Sequence, residues 1–579
     1  MATMIFRASV LFLVLVCTAN ASSPGLIAGL ACTNRVHSFE PRMGSEPRSL
    51  GLRGKRQNLA LRGGAKPVND EDAAHLLGKT LVFVSAGYEA KKATIDIAHA
   101  RGVNIIVVDE PTSWASPTNP NTLDREGKVQ KFVAMDMNRA DAILVPNILA
   151  QLEQYTTETG KKIDGICSFV ELCTETAAKV AEGMNLPCSP SSSVALARSK
   201  PATRNCCEAA GLPKVTHYVL NTRSDIQEAI KEVHFPAVMK PISGVSSLGV
   251  LKVERPEDLE RVYDESIAHM KSVVVGAGGL LMKAEKPLAE VADRPRSSSA
   301  AQERIATFVV EEYLNGYELD IDLVMEDGKC IYRLLTDNGP CAPPYFSESW
   351  SLVPSVQLTE QQVKETEQLA IDSALAMGLT HGVFHVEAMY TPRGARLIEF
   401  NARMGGGEVY ETNLKSTGVC LVVEALLLAC GIPRTRVLRA NGDPLLASVA
   451  GSSVSAPCSG SLPNVDAFLE KYRSMSGVSW MSPKVLDNQH IIGPDEGMPD
   501  WIAIFLIEFP PGRGQEALDK ALEIEKLMTQ DFLDEMDVQK AAPPLPGLQG
   551  PRRTQSTEWF VDASLTANTF PAPDPDELD

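Results

Sequence analysis

Glu, Asn and Arg occupy every second position in the stretch Leu397-Ile398-Glu399-Phe400-Asn401-Ala402-Arg403-Met404-Gly405-Gly406-Gly407. Because alternate side chains of a β-strand point to one face, we expect Glu399, Asn401 and Arg403 to converge on one site. Carboxylate and amide oxygens suit Mg²⁺, and an arginine beside them suits phosphate or carboxylate oxygens. The spacing therefore predicts a strand whose polar face is fit for phosphoryl transfer.

A second strand-like run precedes this stretch. It is His381-Gly382-Val383-Phe384-His385-Val386-Glu387-Ala388-Met389-Tyr390, and the turn signal Thr391-Pro392-Arg393-Gly394 separates it from the first. Pairing the two as a hairpin would bring Glu387 beside Glu399. For a lone Glu-x-Asn pattern, a solvated hairpin face is the favoured interpretation. The other motifs must therefore decide between a solvated face and a functional site.

Composition limits the class of protein. The chain has 579 residues, 44% of them hydrophobic and 22% charged, which predicts an ordinary globular protein of roughly three or four domains. A net charge of −18 argues against a general nucleic-acid binder, and we expect no nucleic-acid partner. The 12 cysteines lack Cys-x-x-Cys spacing, which favours buried free thiols in a reducing compartment.

The N-terminus is typical of a targeting sequence. Residues 1–21 have the charge, apolar run and small-x-small end of a signal peptide, and residues 22–75 have transit-peptide composition. The apolar run is too short to span a bilayer, so no stable membrane anchor is expected. The two segments resemble the bipartite presequence of plastid proteins in algae with secondary plastids, and the secretory pathway is the alternative destination.

The next region alternates strands with helices. Residues 80–85 and 104–109 are strand-like and residues 89–101 are helix-like, which predicts a doubly wound parallel sheet over residues 76–188. The turn Ser85-Ala86-Gly87-Tyr88 lacks the Gly-x-Gly-x-x-Gly fingerprint, so dinucleotide binding is disfavoured.

Four further boundaries follow from composition and pattern. A second domain is predicted over residues 189–430, with a flexible insertion at residues 284–304. A C-terminal α/β segment is predicted over residues 431–540, and a disordered, Pro-rich acidic tail over residues 541–579.

A lysine and a glycine loop lie in the second domain. Lys240 ends an apolar strand, and residues 243–249 follow with P-loop glycine spacing but without the Lys-Ser or Lys-Thr of a P-loop. Lys240 is placed to reach phosphates from the strand while loop N–H groups cover them. Taken alone, a Gly/Ser loop after a strand is more often a simple hairpin.

The order of the motifs along the chain is more specific for a protein family than any single motif. Lys200 comes first, Lys240 with its loop follows, then Glu311-Glu312-Tyr313-Leu314-Asn315-Gly316-Tyr317-Glu318, and finally Glu387 and Glu399-x-Asn401. This order resembles the ATP-grasp superfamily over roughly residues 81–428. The resemblance implies an α/β protein in which the N-terminal doubly wound parallel sheet precedes an ATP-grasp fold, with two α+β subdomains clasping ATP, and a C-terminal α/β extension follows.

The resemblance also implies roles for individual residues. ATP phosphates would be bound by Lys200 and Lys240 and covered by a lid loop that contains Ser246, Ser247 and Gly249. Adenine would meet the backbone at Glu311, Glu312 and Leu314, and the ribose would meet Glu318. Two Mg²⁺ ions, with Mn²⁺ as an alternative, would be held by Glu387, Glu399 and Asn401. Arg403 would hold the transferred phosphate with help from His385, and the substrates would contact Glu348, Gly406 and Glu408. A solvated strand end is the alternative for Glu311 and Glu312, and a structural histidine is the alternative for His385.

Two branches of the superfamily compete. Residues 336–348 and the stretch 398–406 look similar to carnosine synthase and bacterial L-amino-acid ligases, whereas Thr417-Gly418-Val419 is similar to biotin carboxylase. No Met-Lys-Met carrier segment is present, so the resemblance favours an ADP-forming ligase that joins a small carboxylate to an amine such as an amino acid. A biotin carboxylase-like enzyme and a non-catalytic ATP-binding scaffold stay open as alternatives, and a homodimer is allowed.

Overall fold

The computed structural model describes residues 70–88, 91–117, 127–242, 249–271, 273–275, 281–283, 307–341, 346, 348–434, 438 and 443–541. The predicted signal peptide, the insertion at 284–304, nearly all of the predicted tail, and Ser246 and Ser247 lie outside the described residues. So does nearly all of the transit-peptide-like segment. Among the described helices, no single one is long and apolar enough to cross a membrane.

The N-terminal domain is built on a parallel sheet, as predicted. Its elements are α1 (Asp70–Ala73), β1 (Thr80–Val84), α2 (Lys92–Ala100), β2 (Asn104–Asp109), β3 (Val129–Ala134), α3 (Asp141–Thr159), β4 (Gly165–Cys167) and α4 (Thr174–Gly183). The strand order is β3-β2-β1-β4, and every pairing is parallel. Leu81 and Phe83 of β1 pack in one apolar cluster, while Val82 and Val84 pack in another. Both faces of the sheet are therefore covered, which explains its continuous apolar strands.

A small antiparallel sheet forms the first half of the second domain. Its elements are α5 (Ser191–Ala197), α6 (Lys200–Ala209), β5 (His217–Leu220), α7 (Ile226–Glu232), β6 (Ala237–Pro241), β7 (Leu251–Val253), α8 (Leu259–Lys271), the pair β8 (Val273–Val275) and β9 (Leu281–Lys283), and β10 (Phe308–Glu312). The order is β5-β10-β6-β7. Val238 of β6 pairs with Glu311 of β10, so Lys240, two residues further along, lies diagonally across from Glu311 on one face.

The second half is an eight-stranded antiparallel sheet. Its elements are β11 (Tyr317–Glu326), β12 (Lys329–Asn338), β13 (Trp350–Val353), α9 (Glu360–Ala376), β14 (Gly382–Thr391), β15 (Gly394–Asn401), α10 (Val409–Thr417), α11 (Leu421–Ala429), β16 (Ser448–Ser455), α12 (Val465–Arg473), β17 (Val478–Pro483), β18 (Trp501–Phe509) and α13 (Gly514–Ala541). The order is β15-β14-β11-β12-β13-β16-β18-β17. The predicted hairpin forms between β14 and β15, and Glu387 pairs directly with Glu399. The predicted C-terminal α/β extension continues this sheet, since β16 pairs with β13.

Helix α11 joins the N-terminal domain to the large sheet. Its residues are almost all buried, and its leucines share one apolar cluster with Phe83 of β1 and Val383 of β14. The approach is close at Gly165, where a Cβ atom would lie 2.7 Å from the carbonyl oxygen of Ala429. This packing holds the N-terminal domain against the sheet that carries the predicted site.

Candidate functional site

A cavity of about 400 Å³ brings the predicted residues together. Its lining comes from the N-terminal domain, both sheets of the second domain and the C-terminal strands. Fourteen of the predicted site residues line it: Lys200, Lys240, Glu311, Glu312, Leu314, Glu318, Glu348, His385, Glu387, Glu399, Asn401, Arg403, Gly406 and Glu408. Gly249, with φ of 73°, precedes Val250, which lines the cavity.

Two carboxylates and an amide form one corner of the cavity. The side chain of Asn401 donates to Glu387 Oε1 over 3.2 Å, and Lys200 Nζ lies 2.9 Å from Glu399 Oε1. Burial raises the pKa of Glu387 to about 7, and the charge of Glu399 acts in the same direction. Burial opposes the charge of Glu399 too, but Lys200 outweighs it and lowers the pKa of Glu399.

This corner offers the oxygen donors that Mg²⁺ prefers. Within the described residues, no group of three or more His, Cys, Asp and Glu side chains is arranged to hold a metal ion. Glu387 and Glu399 supply two carboxylates, and Asn401 supplies an amide oxygen. Two carboxylates and one amide oxygen are donors of the kind that a divalent cation accepts.

Lys240 is held by a buried carboxylate. Lys240 Nζ lies 3.1 Å from Glu311 Oε2, and Arg204 Nε lies 3.0 Å from Glu311 Oε1. Burial would raise the pKa of Glu311, but Arg204 and Lys240 together hold it well below its usual range. Glu311 thus acts through its side chain in addition to the backbone role expected for it, and the solvated alternative is wrong because the residue is buried.

Glu312 of β10 and Glu318 of β11 also line the cavity. The carboxylate of Glu312 accepts from the backbone N–H of Thr216 and from Arg393, so Glu312 is also anchored in the protein. Burial raises the pKa of Glu318 to about 7, and the charge of Asp320 adds to the shift. The adenine and ribose roles of Glu312, Leu314 and Glu318 stay predictions.

Arg403 links Asn401 to the N-terminal domain. Its Nη2 donates to Asn401 Oδ1 over 3.3 Å, and its Nε lies 2.8 Å from Glu171 Oε2. Sequence reasoning missed Glu171, which lies in a short 3₁₀ turn, Glu171–Cys173, after β4. Arg403 is therefore fixed from both sides, with its guanidinium at the cavity wall.

His385 is enclosed by acidic groups. Its Nδ1 lies 2.9 Å from Asp322 Oδ1, and its Nε2 lies 3.7 Å from Asp320 Oδ1. Burial would lower the pKa of His385, but the two aspartates outweigh it and raise that pKa to about 10. The histidine is thus a cation in the cavity wall at neutral pH. Gly405 is required beside it, because a Cβ atom there would lie 2.8 Å from His385 Nδ1.

The predicted substrate residues lie near a tyrosine from the N-terminal domain. Burial raises the pKa of Glu348 to about 8, and burial also raises the pKa of Glu408. Burial raises the pKa of Tyr88, and the charges of Glu408 and Glu348 add to that shift. A Cβ atom on Gly406 would lie 3.9 Å from the Tyr88 hydroxyl. Tyr88 is the last residue of the turn Ser85-Ala86-Gly87-Tyr88, and it lines the cavity although that turn carries no dinucleotide fingerprint.

Two family models match this architecture. The model of the ATP-grasp domain matches residues 233–411, and that of the ATP-grasp N-terminal domain matches residues 95–188. The chain contains an ATP-grasp domain. The predicted superfamily and fold class are therefore confirmed, and the ATP-grasp match spans the Lys240 strand, the β14–β15 hairpin and Arg403.

Several ATP-grasp proteins are similar over longer stretches. Human carnosine synthase 1 is 30% identical over 366 residues, which are 61% of this chain and 40% of that protein. Alanine–anticapsin ligase of Bacillus subtilis is 25% identical over 281 residues, 46% of this chain and 54% of that protein. The chain thus spans about two fifths of the human carnosine synthase it matches. The structure of an L-amino acid ligase from Bacillus licheniformis shares the fold, with a TM-score of 0.61 and 19% identity over 77% of this chain and 98% of that one.

Lys240→Met should weaken nucleotide binding far more than it disturbs folding. Glu311 keeps Arg204 as its partner in this variant, so no buried charge is left alone. Loss of one charge-assisted contact should raise the dissociation constant for ATP by roughly 10- to 100-fold. Calorimetry and the thermal midpoint measure the two effects, with the exposed Lys231→Met as control. Unchanged ATP affinity would remove Lys240 from the phosphate site.

Proposed function

We propose that the protein is an ATP-dependent carboxylate–amine ligase that releases ADP and phosphate. The observation that carries the proposal is the paired Glu387 and Glu399 with Asn401 and Arg403, in one cavity with Lys200 and Lys240. The similarity to carnosine synthase and alanine–anticapsin ligase supports the same reaction class.

The positive charges in the cavity suit a reaction that proceeds by two successive nucleophilic displacements. A carboxylate oxygen of the acid substrate attacks the γ-phosphorus of ATP, the bond to the β-phosphate oxygen breaks, and ADP leaves. The amine nitrogen of the second substrate then attacks the acyl carbon, the bond to the phosphate oxygen breaks, and the nitrogen loses a proton. Lys200, Lys240 and Arg403 offset the negative charge of the reacting phosphoryl group, which is mainly positioning and electrostatic work.

Two Mg²⁺ ions, or Mn²⁺ in their place, complete this site in the proposal. Glu387, Glu399 and Asn401 would hold them, and the ions would supply neutralisation of the charge on the phosphate oxygens of ATP. Lys200 stays beside Glu399 and keeps that carboxylate ionised and ready to bind a cation.

A screen of acid and amine pairs tests the reaction. Purified chain starting near Asn69 should release ADP only when an acid and an amine are both present, and the product should be an amide. With an ¹⁸O-labelled carboxylate, one label should appear in the phosphate. ADP release that needs bicarbonate and biotin would instead support a carboxylase, and tight ATP binding without release in any pair would support a scaffold.

We further propose that residues 1–75 direct the protein to a plastid through the secretory route. The support is the signal-like run at 1–21 followed by transit-peptide composition. A fluorescent fusion that carries residues 1–75 should enter the plastid of an alga with a secondary plastid, whereas one that ends at Ala21 should stay in the secretory route. Secretion of both fusions would contradict the bipartite assignment.

A further inference from the structure

An acidic side chain of the N-terminal domain reaches the arginine that is expected to hold the transferred phosphate. Glu171 lies in the 3₁₀ turn after β4, and both Glu171 and Arg403 line the cavity. Glu171 Oε2 lies 2.8 Å from Arg403 Nε, and the two side chains are only 17% and 19% exposed. Solvent and salt therefore screen their attraction less than they screen a surface ion pair.

The other contacts of Arg403 determine which of its N–H groups stay available. Nη1 donates to the carbonyl of Met404 over 3.0 Å, and Nη2 donates to Asn401 Oδ1 over 3.3 Å. Glu171 acts at the third nitrogen, Nε. Each terminal nitrogen of a guanidinium carries two N–H groups, and the described residues accept from one on each. One N–H group on each terminal nitrogen is therefore left for the oxygens of a ligand.

Glu171 is itself held within the N-terminal domain and its linker to the second domain. Its Oε1 lies 3.7 Å from Arg198 Nε, and Arg198 Nη1 donates to Glu175 Oε2 over 3.4 Å. Glu175 also pairs with Lys179, whose Nζ lies 2.6 Å from Glu175 Oε1. Of these charged groups, only Glu171 is among the residues that line the cavity. Its carboxylate is thus the end of a series of ion pairs, at the point where that series meets Arg403.

A carboxylate beside Arg403 does not strengthen anion binding, because it offsets part of the positive charge. It supplies orientation instead. An arginine side chain has about 2 kcal/mol of rotamer entropy to lose, and donors stabilise a transition state best when they are already aimed at the developing charge. A competing carboxylate is near, since Asn401, which contacts Arg403, also donates to Glu387 Oε1 over 3.2 Å. Glu171 holds the guanidinium from the opposite domain.

We propose that Glu171 is a positioning residue for phosphoryl transfer, which holds Arg403 in the orientation that meets the transferred phosphate. The N-terminal domain then takes part in the reaction. This proposal rests on the ligase function proposed above, in which Arg403 offsets charge on the reacting phosphoryl group. Glu171 touches no reacting atom and moves no proton in this role. Its effect should therefore appear in the rate of the chemical step and not in nucleotide binding.

Steady-state kinetics of Glu171→Gln test the role, because glutamine keeps the size of the side chain and removes its charge. A displacement of about 1 Å can cost about a hundredfold in rate, so kcat for ADP release should fall roughly 10- to 100-fold while KM for ATP changes less than about threefold. Glu175→Gln is the matched control, since it removes the charge of another partner of Arg198 away from the cavity. It should leave kcat unchanged. An equal fall in both variants, or in neither, would overturn the proposal.

A double-mutant cycle shows whether Glu171 acts through Arg403. Arg403→Met alone should lower kcat, and adding Glu171→Gln should cause no further loss, because no guanidinium is left to position. A further loss as large as that of Glu171→Gln alone would show that Glu171 acts independently of Arg403. A rise in KM for the acid or the amine when Glu171→Gln is added to Arg403→Met would show that Glu171 contacts a substrate. Either result would overturn the positioning role.

Binding of a transition-state mimic separates this proposal from the ligase function. Aluminium fluoride beside ADP and Mg²⁺ occupies the place of the transferred phosphoryl group, so wild type should bind ADP more tightly with it than without it. Arg403→Met and Glu171→Gln should each reduce that gain about tenfold or more and leave the affinity for ADP alone unchanged. If wild type shows this pattern but forms no amide with any acid and amine, the ligase proposal fails and the positioning role in phosphoryl transfer stands. No gain in wild type, or a gain that Glu171→Gln retains, would overturn that role.

Discussion

Glu399→Gln should lower turnover by roughly a hundredfold or more while nucleotide binding survives, because a cation held by this side chain loses a full charge. The glutamine keeps the shape and can still accept a hydrogen bond from Lys200, which now lies 2.9 Å from Glu399. Lys240 and Glu311, which are expected to contact the nucleotide, are unchanged in this variant. Steady-state ADP release at several Mg²⁺ concentrations and ADP binding by calorimetry measure the two effects.

The exposed Glu360→Gln serves as the matched control, since Glu360 pairs only across the surface with Lys364. It should leave turnover unchanged. Turnover of Glu399→Gln within about threefold of wild type would contradict the metal role, since the loss of a metal ligand costs far more. A parallel loss of ADP affinity would show instead that Glu399 acts by positioning Lys200.

The sequence predicted the acidic corner because strand periodicity is local. Alternation over a few residues places Glu387, Glu399 and Asn401 on one face, and a short turn between the two runs sets their pairing. The structure has this hairpin, with Glu387 opposite Glu399. Such features follow from backbone geometry, so they need no knowledge of distant parts of the chain.

The missed residues have in common that no local pattern marks them. Arg204 reaches a carboxylate 107 positions away, and Glu171 reaches Arg403 from another domain. Lys91 lines the cavity only because the N-terminal domain packs against the large sheet. The pairing of β16 with β13, by which the predicted C-terminal α/β segment continues the sheet, likewise has no local signal in the sequence.

The net charge of the chain does not indicate which charged side chains line the cavity. The chain carries −18 overall, yet Lys91, Lys200, Lys240 and Arg403 all line one cavity. Lys200 is balanced by the half-buried Glu399, and Lys240 is balanced by the buried Glu311. An acidic protein can thus bind an anionic nucleotide, because interaction energy falls with distance and buried pairs are weakly screened.

Arg204→Met should lower the free energy of unfolding by about 3–5 kcal/mol, the usual cost of removing one partner from a buried ion pair. The guanidinium pairs with Glu311 through Nε and Nη2, and it donates to the carbonyls of Leu397 and Ile398 over 2.7 Å each. It therefore ties β10 of the small sheet to β15 of the large one. Methionine fills much of the volume but leaves both carbonyls without this donor and Glu311 with Lys240 as its remaining ion-pair partner.

Urea denaturation of the ATP-grasp domain measures the loss, and Arg223→Met provides the comparison. Arg223 also contacts two carboxylates, Glu260 and Asp264, but all three side chains are exposed, so its removal should cost about 0–1 kcal/mol. If Arg204→Met costs no more than Arg223→Met, the arginine does not join the two sheets. Adding Glu311→Leu to Arg204→Met should recover part of the stability, because it removes the poorly paired buried charge. The same double variant should still bind ATP poorly, since Lys240 loses the carboxylate that holds it in place.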